Sequence, residues 1–432
     1  MAQKQKEMCP LREIYHGSIK EKILLHLRNY GDSKRASFVT LLAEHYKQNI
    51  NKATRELLDG GYVDEYKKPP APGKAKVRFL CLTEKGKRTI RQLEDEHGEA
   101  PPNREIANIK RPERKELVMQ VFHACKAIGI LTDEELKPSL PELICPKAPT
   151  QEGNRRIKRM QQDGAFYTIT EIRKASMELH GDGPLNQTRC IGVIIRGHRL
   201  FFVYNMGGKL IYFNSTVEAR TRDDVMHLFS AQNGNRAPVV KSSVSSCILF
   251  ASSYSAIAQL FFCRKGGHIP VDENGKPKGT VGELGASKWD PTQDRLTMKQ
   301  LERLFSDIYL IPVKHAMELL GNATQMGAER MDRAASRWIE QQEMLRATGN
   351  PNGAQAVEKS SGDDVFVWLD NNLRTLYSVW KNERRVFVVI PMAGPEQGIA
   401  QVLGERLNSI QTLTGEVLKT RRYDNYGNLK QN

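Results

Sequence analysis

The stretch NINKATRELLDGGYVDEY, residues 49–66, decides how the front of this chain folds. Ile50, Ala53, Leu57 and Leu58 recur at helical spacing, so one face of a helix is apolar and the opposite face carries Asn49, Lys52 and Arg55. Gly60 and Gly61 can take the positive φ that ends a helix, and YVDEY then supplies the aromatic and β-branched residues of a strand. Working outward, SIKEKILLHLRNY places Ile19, Ile23, Leu24 and Leu27 on one face and stops at Gly31. SFVTLLAEHY follows, with Ser37 as the expected N-cap and Val39, Leu42, Ala43 and Tyr46 expected inward. Downstream, VRFLCLTEKG has strand character. Between it and YVDEY lies KKPPAPGKAK, a hairpin tip of Pro, Gly and cations. The spacing therefore predicts three helices followed by a two-stranded hairpin.

That order resembles the winged helix-turn-helix DNA-binding family over residues of about 15–97, with LLDGGYVDEY similar to the end of the recognition helix and FLCLTEKGKRTI to the second wing strand and closing helix. The resemblance implies a helix that enters the major groove of duplex DNA. Its outward residues Lys47, Gln48, Asn49, Lys52 and Arg55 are the types that reach phosphates and base edges. Lys67, Lys68, Lys74, Lys76 and Arg78, with no acid between the first and the last, would follow the backbone from the wing.

The charge agrees with a polyanionic partner. Sixty-five Lys and Arg against fifty Asp and Glu leave +15 over 432 residues. Twenty of those cations and twelve of those acids lie in residues 1–95, so the surplus is concentrated at the front. No apolar run of membrane-spanning length occurs, and MAQKQKEMCPLREIY lacks the apolar core of a signal peptide, so a cytoplasmic protein without membrane association is expected. Cys9, Cys81, Cys125, Cys145, Cys190, Cys247 and Cys263 form no C-x-x-C pair and have no His at ligand spacing, which argues for reduced thiols and no structural zinc.

Residues 98–164 read as a linker, EDEHGEAPPNREIANIKRPERKE, and a packing helix, ELVMQVFHACKAIGIL, on which His123 is expected to be structural. Lys110, Arg111, Arg114 and Lys115 here, and Arg155, Arg156, Lys158 and Arg159 in NRRIKRM, form two basic segments that serve either solubility or phosphate contact. From 165 to 432 the pattern changes to CIGVIIR, HRLFFVYN and KLIYFN, an expected antiparallel meander. SCILFA, DIYLIPV, VFVWLD and RVFVVIPM then alternate with helical runs, the pattern of an α/β domain with a mixed sheet. GNPNGAQAVEKSSGDD reads as a mobile loop. The fold class is thus α+β and multidomain: an N-terminal winged helix (1–97), a linker and packing helix (98–164) and an α/β domain (165–432).

A mixed sheet behind a winged helix resembles mobile-element proteins of the replication-relaxation and mobilisation type, whose C-terminal part is similar to restriction-endonuclease folds. The resemblance implies carboxylates at strand ends that hold Mg²⁺ and a Lys two positions after one of them. Glu171 and Glu218 are the candidates, but Arg220 stands where the Lys would be, and GKLIYFNSTVEAR has no acid in its strand. No phosphate-binding G-x-x-x-x-G-K-[ST] occurs, nor H-x-H or H-E-x-x-H beside a Tyr nucleophile. Tyr167 and Tyr204 read as sheet residues, His198 as an exposed turn residue, and His315 as a residue at a strand-to-helix junction without a visible partner. The expectation is a DNA-binding regulator or a replication or mobilisation accessory that uses no cofactor and associates with duplex DNA, with itself or with other mobile-element proteins. The alternatives are a Mg²⁺-dependent nicking nuclease or relaxase and a protein-interaction module.

Overall fold

The computed structural model describes residues 14–15, 17–42, 45–68, 77–97, 109, 112–144, 150–180, 185, 188–207, 214–230, 239–240, 245–262, 297–324, 327–349, 354–382, 384–391 and 394–413. The fold mixes α-helices with β-sheets, and the chain divides into two units, Met1–His123 and Ala124–Asn432. Among the described residues, no helix is long and apolar enough to cross a membrane.

In the first unit, α1 (Ile19–Tyr30) starts where the Ser18 hydroxyl accepts from the Glu21 amide and stops at Gly31, whose φ of 72° is open to glycine. A two-residue strand β1 (Ser33–Lys34), a single-turn α2 (Phe38–Leu41) and α3 (Lys47–Asp59) follow. The hairpin β2 (Val63–Lys68) and β3 (Val77–Leu82) leads into α4 (Glu84–His97). The three strands pair antiparallel in the order β1-β3-β2, with Lys67 opposite Arg78. Ile23, Leu24 and Leu27 of α1, Ile50, Ala53 and Leu57 of α3, and Leu80 and Ile90 meet in one core.

Two expectations fail here. Ser37 stands at the N-cap position of α2, but its side chain makes no cap: it ends a 3-10 turn, and its hydroxyl donates to Glu116. Tyr46 is not inward but 82% exposed, because the chain breaks between α2 and α3 and restarts with Tyr46 as the N-cap residue. Lys74 and Lys76, with the rest of 69–76, lie outside the described residues, as does most of the 98–111 linker.

Helix α5 (Pro112–Ala127) brings Phe122 and His123 against α1, where His26 stacks on His123 at 5.5 Å and Tyr30 meets Phe122 edge-on at 5.6 Å. His123 thus sits in an aromatic cluster. Lys115, expected as a surface cation, is buried.

The second unit opens with α6 (Leu140–Ile144), α7 (Gln151–Asp163), β4 (Ala165–Thr168) and α8 (Ile169–His180). It continues with β5 (Gly192–Arg196), β6 (Arg199–Asn205), α9 (Ser215–Ser230), β7 (Ser245–Ala251), α10 (Ala256–Phe262), α11 (Met298–Leu304) and β8 (Asp307–Pro312). After α12 (Ala316–Thr324) and α13 (Gly327–Glu340) come β9 (Leu345–Ala347), β10 (Ala356–Glu358), β11 (Asp364–Val367), α14 (Leu373–Lys381), β12 (Val386–Ile390), α15 (Glu396–Leu403) and β13 (Leu407–Thr412).

The mixed sheet expected here is in fact two. Strands β4 to β8 form one and β9 to β13 the other, each with its members in chain order. In both, the first three strands are antiparallel and the last three parallel, so one topology occurs twice. The stretch read as a mobile loop contributes to the second copy: Ala356–Glu358 pairs with both β9 and β11, and Ala356 is fully buried. Gly197 and His198, with φ of 57° and 72°, close the two-residue β5–β6 turn. KLIYFN lies, but for Asn214, outside the described residues.

The two sheets are joined by amide chemistry. The Asn372 carboxamide accepts from the Ile308 amide and donates to the Asp307 carboxylate, both at 3.1 Å. Gly398 of α15 lets that helix approach the turn before α10 so closely that a Cβ would stand 2.7 Å from the Tyr254 carbonyl oxygen.

Candidate nucleic-acid interface

Helix α3 holds its apolar side in the first unit's core, which turns Lys47, Gln48, Asn49, Asn51, Lys52 and Arg55 to solvent. Its first turn has no acidic residue, and no side chain caps it, so the positive end of the helix dipole lies open beside Tyr46 and Lys47. Of the two acids on this helix, Asp59 is exposed in its last turn, one turn beyond Arg55, while Glu56 is drawn to Lys20 on α1 at 2.7 Å, and that hydrogen bond lowers its pKa below the ordinary value. The Lys52 ammonium reaches Glu56 only at 4.0 Å and is 77% exposed.

The hairpin cations divide. Lys67 is exposed. Arg78 is ion-paired: Glu65 takes its guanidinium and that of Arg35, each at 3.0 Å. Beside them Tyr66 stacks on Phe79 and donates to Asp32 at 3.0 Å; burial, reinforced by that bond, pushes its phenol up to about 12. These contacts fix the base of the hairpin. Sequence reasoning missed Tyr46, because a Tyr following an apolar run looks like a continuation of it, and Asn51, which no pattern singled out.

Glu171 and Glu218 in the second unit are brought into different networks. The Glu171 carboxylate accepts from the Thr168 amide at 2.6 Å, capping α8, and pairs with the buried Lys137 ammonium at 2.5 Å. Lys137 in turn donates to the Phe166 carbonyl and lies over the Tyr167 ring. Glu218 is 1% exposed and accepts from the Thr188 hydroxyl and the Arg189 amide, both at 2.6 Å, and from the Tyr204 hydroxyl at 3.0 Å. Burial raises its pKa, and the three donors oppose that rise. Tyr167 and Tyr204 are buried in the first sheet. His198 is half-buried, its Nδ1 at 3.1 Å from the Val239 carbonyl, and His315 lies 6.3 Å from the Tyr254 ring. Among the described residues, no three His, Cys, Asp or Glu side chains are grouped to hold a metal ion.

No family model, no curated protein and no solved structure matches the chain.

Proposed function

We propose that the first unit is a winged helix-turn-helix module that docks on duplex DNA, with α3 as the recognition helix in the major groove and the β2–β3 hairpin as the wing on the flanking backbone. The observation that carries this reading is the outward row of α3: Lys47, Gln48, Asn49, Lys52 and Arg55, with no acid in its first turn, on a helix that follows two others and precedes a hairpin. The sheet order β1-β3-β2, with a short strand between the first two helices, supports it. Lys67, exposed on β2, extends the cationic track along the hairpin.

The second unit is read as the part that senses, self-associates or recruits, in a regulator or a replication or mobilisation accessory of a mobile element. The setting rests on the family resemblance of the sequence. Glu171 and Glu218 are committed to internal hydrogen bonds, and this favours the non-enzymatic reading over a nuclease.

The test is duplex binding by the full chain, followed by fluorescence anisotropy. Replacing Lys52 and Arg55 together by Ala is expected to weaken binding by about 1–3 kcal/mol for each side chain that reads a base, and to lower the salt slope by about one for each that meets a phosphate. Unchanged affinity and slope would sink the docking claim.

A further inference from the structure

The surface of α7 in the second unit carries a charge pattern that the docking of α3 does not use. Around this helix the buried side is made by Gly153, Ile157 and Met160, of which Ile157 is only partly covered. Away from it lie Gln151, Asn154, Arg155, Lys158, Arg159 and Gln162, all exposed. Every one is a cation or a neutral amide.

The two acids of the helix, Glu152, which is exposed, and Asp163, fall together on the flank between Arg159 and Arg156 at helical spacing. That flank is also where Arg156 is held by Glu142 at 2.9 Å. Of the outer cations, only Arg159 has a carboxylate partner, Asp163 at 3.4 Å; Arg155 and Lys158 form no ion pair among the described residues. A face kept merely soluble interleaves both signs of charge, since adjacent like charges on a helix are unfavourable. Here both acids lie at one edge of the exposed side, and the stripe beside them holds no acid over three turns, about 16 Å, with its cations Arg155, Lys158 and Arg159 gathered in about one turn, about 6 Å.

The helix is also a firm platform. Thr150 caps its start, accepting from the Gly153 amide at 3.0 Å. Gly164, with a φ of 86°, ends it, and the β5–β6 turn grips its last turn through the Gly197 amide on the Gln161 carbonyl at 3.0 Å and Arg196 Nε on that of Gln162 at 3.2 Å.

From this segregation of charge we infer that the outer face of α7 is a second nucleic-acid contact, which takes the phosphate backbone of duplex DNA without reading sequence. Arg and Lys neutralise phosphates, and the amides of Gln151, Asn154 and Gln162 donate to phosphate and sugar oxygens. This deepens the DNA-binding reading and rests on it for the choice of duplex DNA as the polyanion.

The experiment uses the full chain and a duplex of arbitrary sequence, with affinity measured across a salt series. Replacing Arg155, Lys158 and Arg159 together by Gln is expected to reduce the slope of log affinity against log salt by about 0.9 for each phosphate no longer neutralised, and to weaken low-salt binding at least tenfold, equally on every duplex. The Arg155→Lys/Arg159→Lys variant keeps the slope. All these side chains are exposed, so the circular dichroism spectrum and Tm stay those of the wild type.

An unchanged slope in the Gln variant overturns the inference whatever the α3 variants do. Loss of poly-glutamate binding with duplex binding intact overturns it in favour of an acidic protein partner. If instead the α3 variants bind normally while the α7 variant does not, the docking role of α3 falls and that of α7 stands. Absence of duplex binding by the wild type overturns both.

Discussion

Glu218 and His26 are each buried with a group that water would otherwise serve, and each is tolerated for a different reason. Three donors meet the Glu218 carboxylate, which ties the start of α9 to the segment before β5 and to the β6 tyrosine. Glu218→Ala leaves those donors without an acceptor, at about 1–3 kcal/mol each. A loss of about 3 kcal/mol or more is expected in urea unfolding, whereas Glu218→Gln, which keeps one acceptor oxygen, loses less. His26 is kept neutral. Burial, with His123 and Lys115 nearby, lowers its pKa well below the ordinary 6.5, while Nε2 stays 3.2 Å from the Ser33 hydroxyl. Below pH 6.5 the unfolded chain takes up a proton that the folded chain refuses. The stability His26 permits is therefore full above that pH and declines as pH falls toward the folded value. Unfolding midpoints at pH 7.5 and 5.5 check this: His26→Gln should show the smaller difference.

At the scale of elements, glycine marks both what the sequence declares and what it conceals. Gly31 and Gly61, with φ of 72° and 69°, end α1 and the α3 turn where the apolar spacing stops, and both stops are legible in the sequence. Gly86 is not. It lies inside α4, where its low helix propensity has no local use, but a Cβ there would stand 2.2 Å from the Tyr62 carbonyl oxygen. Thr83 holds the same crossing, accepting from the Gly86 amide at 3.1 Å and placing its hydroxyl 2.8 Å from the Gly61 carbonyl. Gly86→Ala is expected to destabilise the first unit by about 1–3 kcal/mol through overpacking, read as a lower Tm. The strand β10 was hidden for a related reason. Three residues, Ala356–Glu358, carry too little alternation to stand out among Gly, Asn and Ser, and only pairing on both sides makes them a strand.

At the scale of the whole molecule, the salt response of the proposed DNA complex is set by how many phosphates the protein's cations neutralise. With six or more phosphates neutralised, affinity of the full chain for duplex DNA is expected to fall about 10³-fold or more between roughly 50 and 200 mM salt. A titration that shows a shallow dependence would limit the neutralised phosphates to one or two. The repeated sheet topology of the second unit belongs to this scale as well. Two sheets of one order share no motif in the sequence, because strand order is set by pairing between backbones, which many side-chain sets satisfy. Their junction depends on Asn371, at a φ of 57° and bonded to the Tyr254 hydroxyl at 3.1 Å, and on the Asn372 amide, residues that no pattern in the sequence singled out.

By itself the sequence determined the helix order of the first unit, the faces of α1 and α3, the cationic row of Lys47, Lys52 and Arg55, and most strands of the second unit. These follow from periodicity, glycine stops and charge, which act over a few residues. Tertiary structure alone decided that Tyr46 points outward, that Arg78 is held by Glu65, that Lys115 is buried, and that Glu171 and Glu218 serve separate networks. Each of these outcomes depends on partners tens of residues away or on where a helix restarts, and burial and hydrogen bonding are settled only when those partners meet.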